Sequence, residues 1–68
     1  MTLEEIEAVI QANVGKRLRL TLQNGAVQSV EISSVDDEGF VHSGPNGENP
    51  DGYWTPFEEV KRAERDTQ

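Results

Sequence analysis

The sequence has no cysteine among its 68 residues. This absence excludes disulfide bonds and thiolate metal sites. A chain of this length has room for one domain, and it buries only about 60% of the surface that its unfolded form exposes. Because no cross-link adds stability, self-association is an available way to bury more surface. We therefore expect a single domain over residues 1–68 that holds no cofactor and no metal and forms homo-oligomers.

Long apolar runs are also absent. No segment approaches the roughly 20 apolar residues of a membrane span, and the first residues lack the basic and apolar regions of a secretory leader. Positive charge is scarce, since 6 Lys and Arg residues against 13 Asp and Glu residues give a formal net charge of −7. Phosphate backbones attract basic proteins, so this balance disfavours generic nucleic-acid binding. We expect a cytoplasmic protein that does not bind membranes.

The first segment has the pattern of a helix. Thr2 and Glu5 have the spacing of a capping box, and Gly15 can adopt the left-handed conformation that ends a helix. The apolar residues of this segment recur at helical spacing and are Leu3, Ile6, Val9 and Ile10. The sequence predicts a helix over about residues 2–13.

After residue 16 the pattern changes to the alternation of a strand with one buried face. The alternating apolar residues are Leu18, Leu20 and Leu22. Asn24 and Gly25 then predict a hairpin, because both residues tolerate positive φ. A second strand follows over 27–35. Val27 and Val35 fall out of phase with the apolar residues between them, which predicts a bulge or a bend in this strand.

The second half of the sequence predicts three shorter strands. One starts at Phe40, after an acidic turn, and another resumes at Tyr53, after a polar loop over 43–52. The last segment has two interpretations, a helix over 56–65 or one helical turn followed by a strand. We favour the turn and strand, because four strands and one helix would leave a sheet edge unprotected.

Together these elements predict a mainly β fold with an N-terminal α-helix, in which residues 16–65 form a five-stranded small barrel of the SH3-like or Sm-like kind. The expected core consists of the inward apolar residues of every strand and includes one of the two adjacent aromatics. Its predicted members are Leu18, Leu20, Leu22, Val30, Ile32, Phe40, Phe57, Val60 and either Tyr53 or Trp54.

The strand register resembles the Sm-like family, especially its bacterial Hfq-type branch. Asn24 and Gly25 after an apolar strand, and Asp36 at the end of the next one, match the first family motif in sequence and spacing. Phe40 lies near the aromatic residue that follows the motif's Asp, although two extra residues intervene. The resemblance covers about residues 3–65 and implies a barrel, a ring assembly and RNA binding.

Several family positions differ in this chain. Val30 stands where the family usually has a Gly in the second strand. Trp54 and Thr55 occupy the positions of the Lys-His pair that contacts RNA in Hfq-type proteins, and the basic Arg-Gly motif of archaeal and eukaryotic members is missing. The missing pair and the acidic net charge both disfavour RNA as a partner.

Two features predict a binding surface. The basic residues form two clusters, Lys16, Arg17 and Arg19, and Lys61, Arg62 and Arg65. Because the first and last strands of such a barrel are neighbours, Arg17 and Arg19 should lie beside Lys61, Arg62 or Arg65. They would form a basic stripe suited to an acidic partner or a phosphate backbone. Alternatively, these cations pair with nearby acids as ordinary solvated surface charge. The candidate acids for that pairing are Glu31, Glu58, Glu59 and Glu64.

The second feature is the aromatic pair Tyr53 and Trp54, of which a strand should turn one inward and one outward. The outward ring could stack on a base or anchor a protein partner. Alternatively, both rings could be buried in the core or at a subunit interface. His42 is the only histidine, and no nucleophile elbow or phosphate-binding loop accompanies it. The sequence thus predicts a non-enzymatic module that assembles through edge strands. The alternative is a monomeric SH3-like adaptor that binds a protein or peptide.

Overall fold

The computed structural model describes residues 1–66. Helix α1 covers Leu3–Ala12. The Thr2 hydroxyl accepts a hydrogen bond from the Glu5 N–H at 3.2 Å, and the Glu5 carboxylate accepts one from the Thr2 N–H at 2.9 Å. These reciprocal bonds satisfy N–H groups that a helix N-terminus otherwise leaves without partners. The predicted helix and its capping box are therefore confirmed.

The chain leaves the helix through Gly15, which has φ +84°. A glycine is favoured there because left-handed backbone strains residues with a side chain. The Gly15 N–H donates to the Ile32 carbonyl at 2.7 Å, which ties the helix exit to the sheet.

Five antiparallel strands form one sheet in the order β4-β3-β2-β1-β5. They are β1 Arg17–Leu22, β2 Val27–Val35, β3 Gly39–His42, β4 Tyr53–Pro56 and β5 Val60–Arg65. Short 3-10 turns occupy Pro45–Gly47 and Phe57–Glu59. The last segment is thus a turn and a strand, and a helix over 56–65 is wrong.

The sheet is open. Within residues 1–66, β4 and β5 lie at opposite ends of the strand order and do not pair with each other. The structure confirms a mainly β fold with an N-terminal helix, whereas the closed barrel that the sequence predicted is not confirmed by residues 1–66. The only helix longer than one turn in this part of the chain is α1, and it is too short to cross a membrane.

The β1–β2 hairpin forms at the predicted Asn-Gly pair. Only Gly25 needs positive φ, at +89°, and its N–H bonds the Leu22 carbonyl at 2.9 Å. The Leu22 N–H in turn donates to the Ala26 carbonyl at 2.8 Å. These bonds define a three-residue loop with a left-handed glycine, a common hairpin form.

The predicted irregularity in β2 is a register shift between Ile32 and Ser34. Beyond the shift, Val35 pairs with the buried Phe40. The extra residue therefore turns Val35 back toward the core, where it packs against the buried cluster. Val27 remains on the outer face and is 60% exposed.

The core joins the inner face of the sheet to α1. Its buried apolar members are Ile6, Ile10, Leu18, Leu20, Val30, Ile32, Phe40, Phe57, Val60 and Ala63. Leu22 only partly joins them, and neither adjacent aromatic does, since Tyr53 is 45% and Trp54 49% exposed. The expectation that one of them is buried was wrong because both lie at the start of an edge strand.

Candidate binding surfaces at the sheet edges

The outer face of β1 and β5 carries three of the predicted basic residues. Arg17 and Arg19 alternate with buried leucines and are exposed. Arg62 lies opposite Thr21, and Glu64 lies opposite Arg19. Because residues that face each other across an antiparallel pair share a face, Arg17, Arg19 and Arg62 lie on the same side of the sheet.

Two of these cations already have acidic partners. The Arg19 Nη2 lies 3.3 Å from the Asp66 Oδ1, and the Arg62 Nε lies 3.7 Å from the Glu64 Oε1. Asp66 also accepts a hydrogen bond from the Ser29 hydroxyl. This bond and the nearby Arg19 hold the pKa of the Asp66 carboxyl below its ordinary value. Arg19 and Arg62 therefore fit the interpretation of paired surface charge better than that of a free basic stripe.

The other two basic residues of β5 lie elsewhere. Arg65 pairs with the buried Leu18, so it occupies an inner-face register at the end of the sheet. Lys61 lies where the register shifts opposite Thr21 and Leu22, and it has no residue directly across from it. Neither Lys61 nor Arg65 forms an ion pair within the described part of the chain. Both cations remain available at the free edge of the sheet.

The inner side of β3 and β4 carries a row of rings. The Phe40 ring centroid lies 5.8 Å from that of Phe57 and 5.1 Å from that of His42. The Tyr53 ring stacks on His42 at 5.9 Å, with 20° between the planes. This aromatic row, Phe57-Phe40-His42-Tyr53, supports β4 from below. Phe40 lies inside this row and is fully buried, whereas Tyr53 lies at the end of the row and is not.

His42 is a satisfied structural residue. Its Nδ1 lies 2.7 Å from the Ser43 carbonyl oxygen, and its Nε2 lies 2.7 Å from the Thr55 Oγ1. Since a carbonyl only accepts, the proton resides on Nδ1 in the neutral ring, and Nε2 accepts from the Thr55 hydroxyl. The Ser43 hydroxyl accepts from the Glu31 N–H and donates to the Gly44 carbonyl. These bonds fix β3 against β2 and β4.

Trp54 lies on the opposite, outer side of β4, where it pairs with Val41. Its indole N–H donates to the Asp36 Oδ2 at 2.9 Å. The other carboxylate oxygen of Asp36 accepts the N–H groups of Glu38 and Gly39, both at 2.8 Å. The Glu38 N–H and the Trp54 indole lower the pKa of the Asp36 carboxyl, with a smaller contribution from Gly39. Asp36 therefore stays anionic and holds the indole in place.

Gly39 provides the space for this arrangement. A Cβ at residue 39 would lie 2.3 Å from the Thr55 carbonyl oxygen and 2.7 Å from the Trp54 Cζ2. Any side chain there would push β4 and the indole away. The four positions of the predicted family motif lie in turns or in the core, namely Asn24, Gly25, Asp36 and Phe40. The Asn24 Oδ1 accepts a hydrogen bond from the Ala26 N–H at 2.9 Å.

A shallow depression lies where α1, the β2–β3 turn and the Phe57–Glu59 turn meet. It measures about 220 Å³, below the roughly 300–1,000 Å³ of typical small-molecule sites. It is lined by Leu3, Glu7, Asp37, Glu38, Pro56, Phe57 and Glu58, none of them basic. No group of three His, Asp or Glu side chains within residues 1–66 is arranged to hold a metal ion.

The two edges of the sheet thus differ in charge. β4 has no charged residue, and the acidic turn 36–38 and Asp51 of the preceding loop lie beside it. β5 carries three basic residues and one acidic residue, namely Lys61, Arg62, Arg65 and Glu64. The chain has no significant match among family models, curated proteins or solved structures. Its function is therefore inferred from its surfaces.

Proposed function

We propose that this protein is a non-enzymatic module of the Sm-like kind that assembles by pairing the β4 edge of one copy with the β5 edge of the next. The observation that carries the proposal is the open sheet, whose end strands β4 and β5 each pair on one side only within residues 1–66. β5 carries a net positive charge, and the acidic turn 36–38 contacts the uncharged β4 through Asp36 and Trp54. Unpaired strand edges are templates for further strands, and the small core, without cross-links, favours additional burial.

The backbone register leaves hydrogen-bonding groups free on β5. The Asp66 N–H bonds the Arg17 carbonyl, and in an antiparallel ladder every second residue bonds the same neighbour. The backbone N–H and C=O groups of Glu64 and Arg62 therefore bond β1, whereas those of Ala63 and Arg65 point away from it. This edge contains no proline.

The same argument applies to β4. The Phe57 N–H bonds the Glu38 carbonyl, so Thr55 and Tyr53 bond β3 and the backbone groups of Trp54 and Pro56 point outward. Pro56 has no N–H, so Trp54 is the residue of β4 that offers both a donor and an acceptor there. Joining β4 to β5 makes different surfaces meet, which is a head-to-tail contact. Such contacts close into rings when the rotation between copies allows it.

Charge reversal at the β5 edge tests the proposal. Light scattering should give the wild-type protein a mass that is a multiple of 7.6 kDa at micromolar concentration. Lys61→Glu should shift it toward the monomer, because the mutant edge then repels the acidic surroundings of β4. Lys16→Glu makes the same change of net charge outside β5 and should leave the mass unchanged. A wild-type protein that is strictly monomeric would overturn the proposal.

A second function, a monomeric adaptor for an extended peptide, is favoured by the exposure of Tyr53 and Trp54 on one edge strand. A peptide could add to this edge as a further strand, with the rings as anchors. In that case Trp54→Ala should weaken capture of a bound partner without changing the mass of the protein itself.

RNA binding, which the family resemblance implies, receives no support from the net charge of −7 or from Trp54 and Thr55. Titration with a uridine-rich oligonucleotide at low salt should show no association. Tight and salt-dependent binding would restore this function, because phosphate contacts release counterions.

A further inference from the structure

The outer face of β4 presents one large and ordered ring. Trp54 is 49% exposed, while its N–H is held by Asp36 at 2.9 Å and its Cζ2 lies against Gly39. One part of the indole is thus fixed on the turn, and the remainder faces solvent. An aromatic side chain that is already ordered loses little conformational entropy when it binds.

The surroundings of this ring select a cation. Asp36 contacts the indole through its carboxylate, and Asp37 and Glu38 follow in the same turn. Carboxylates repel phosphates and other anions, whereas an aromatic face attracts Arg and Lys through its quadrupole. The exposed indole beside Asp36 is therefore suited to a guanidinium group, which both the ring and the carboxylate attract.

The proposed assembly brings one such group to the ring. When β5 of one copy pairs in the parallel direction with β4 of the next, the outer faces of the two sheets become continuous. Trp54 is on the outer face of β4, and the outer-face residues of β5 are Arg62 and Glu64. A register that placed Glu64 of one copy beside Asp36 of the next would bring two carboxylates together. Charge therefore favours the register that places Arg62 beside Asp36.

Arg62 is available for this contact. Its side chain is 64% exposed, and its contact with Glu64 is a single one at 3.7 Å between two exposed groups. Exposed pairs of this kind contribute little. The guanidinium can leave Glu64 at small cost and gain both the ring and the Asp36 carboxylate.

We infer that, at each junction, Arg62 of the second copy lies over the exposed face of the Trp54 indole, beside Asp36. This inference rests on the proposed edge assembly and names the side chains that fix its register. Arg65, in the inner-face register of the same strand, takes no part in the contact.

A double-mutant cycle on self-association tests the pair. Sedimentation velocity should show that Arg62→Gln and Trp54→Leu each weaken the association by roughly 2- to 30-fold, the range expected for a cation–π contact. In the Trp54→Leu protein, Arg62→Gln should then have a smaller effect than in the wild type, because the ring is gone and only the contact with Asp36 remains to be lost. Arg65→Gln is the matched control and should change the association less than Arg62→Gln does.

A second readout uses the single tryptophan. Its fluorescence should change with concentration in the wild-type and Arg65→Gln proteins, and this change should be lost in Arg62→Gln. Thermal unfolding of each variant, measured below the association range, checks that the fold is retained.

These experiments distinguish a failure of the proposed edge assembly from a failure of the Arg62–Trp54 contact. A wild-type protein that stays monomeric overturns the edge assembly and this inference together. A wild-type protein that assembles while the two substitutions act additively, or while Arg65→Gln acts as strongly as Arg62→Gln, overturns the inference alone.

Discussion

The two edge strands of the sheet pack on different kinds of side chain. The β5 edge rests on aliphatic residues and on α1, with Val60 and Ala63 buried beneath it. The β4 edge rests on the aromatic row and carries an ordered tryptophan on its other side. Because the edges differ in chemistry and charge, each is complementary to the other rather than to itself. This difference is what favours a head-to-tail contact over a symmetric one.

The largest expected effect comes from removing the centre of the aromatic row. Phe40 is fully buried and contacts both Phe57 and His42, so Phe40→Ala should lower the free energy of unfolding by about 3–5 kcal/mol. Urea unfolding measures this loss. Val27→Ala, at an exposed outer position of β2, should cost far less. Equal costs for the two variants would show that the row does not support the β4 side.

Adding a side chain at Gly39, where the Trp54 indole packs, should have the next largest effect on stability. Gly39→Ala places a Cβ against the Thr55 carbonyl and the Trp54 ring, and overpacking of this kind costs about 1–3 kcal/mol. Thermal unfolding should show the loss, and Trp54 emission should shift to the red as the ring is displaced.

Gly25→Ala is the comparison for that variant. Its Cβ would meet nothing within 4 Å, but its φ is +89°, so it should lose about 1–2 kcal/mol through backbone strain. Its tryptophan emission should not change. An unchanged emission in Gly39→Ala as well would contradict the role assigned to this glycine.

A smaller and more local effect is expected at the turn. Asp36→Asn keeps one oxygen for the N–H groups of Glu38 and Gly39, but it replaces the oxygen that accepts from Trp54 by an NH₂ group. Trp54 should become more mobile, which fluorescence anisotropy detects, with a smaller stability loss than in Gly39→Ala. Asp37→Asn removes the same charge from the neighbouring residue and should leave the anisotropy unchanged.

The smallest effect concerns pH. The folded pKa values of Asp36 and Asp66 lie below the ordinary value of 3.8. A lowered folded pKa contributes stability above the unfolded pKa and loses it as pH falls through the folded value. Stability should therefore decline as pH drops below about 3.8, and Asp36→Asn should flatten part of this decline. Urea unfolding at neutral and acidic pH measures how steeply the free energy of unfolding depends on pH. If the stability of Asp36→Asn fell as steeply as that of the wild type, the stabilising role assigned to the Asp36 carboxylate would be contradicted.

Local patterns in the sequence were sufficient for most elements of the fold. The capping box at Thr2 placed the helix, the Asn24-Gly25 pair placed the hairpin, and the phase of Val35 indicated the bulge. Each of these features depends on residues close together in the chain. The choice of a strand for the last segment was also correct, and it followed from the need to cover an edge.

The parts that the sequence did not reveal depend on distant residues. Periodicity predicts which way Tyr53 and Trp54 point, but not how far other residues cover them, and both rings are left about half exposed. The contact of Asp66 with Arg19 and Ser29 joins the end of the described chain to β1 and β2. No local pattern marks it. Likewise, the alternation of leucines predicts a strand with one buried face but does not determine whether the two edges of the sheet meet.

The central claim, that one edge of this protein recognises the other, is tested most directly by mixing two variants blocked at opposite edges. Trp54→Arg should block the β4 edge, and Lys61→Glu should block the β5 edge. Each alone should run as a smaller species than the wild type. Mixed in equal amounts, they retain one intact edge of each kind and should form a dimer of about 15 kDa, twice the 7.6 kDa chain. If native mass spectrometry finds only monomers in the mixture while the wild type assembles, the assembly does not join β4 to β5.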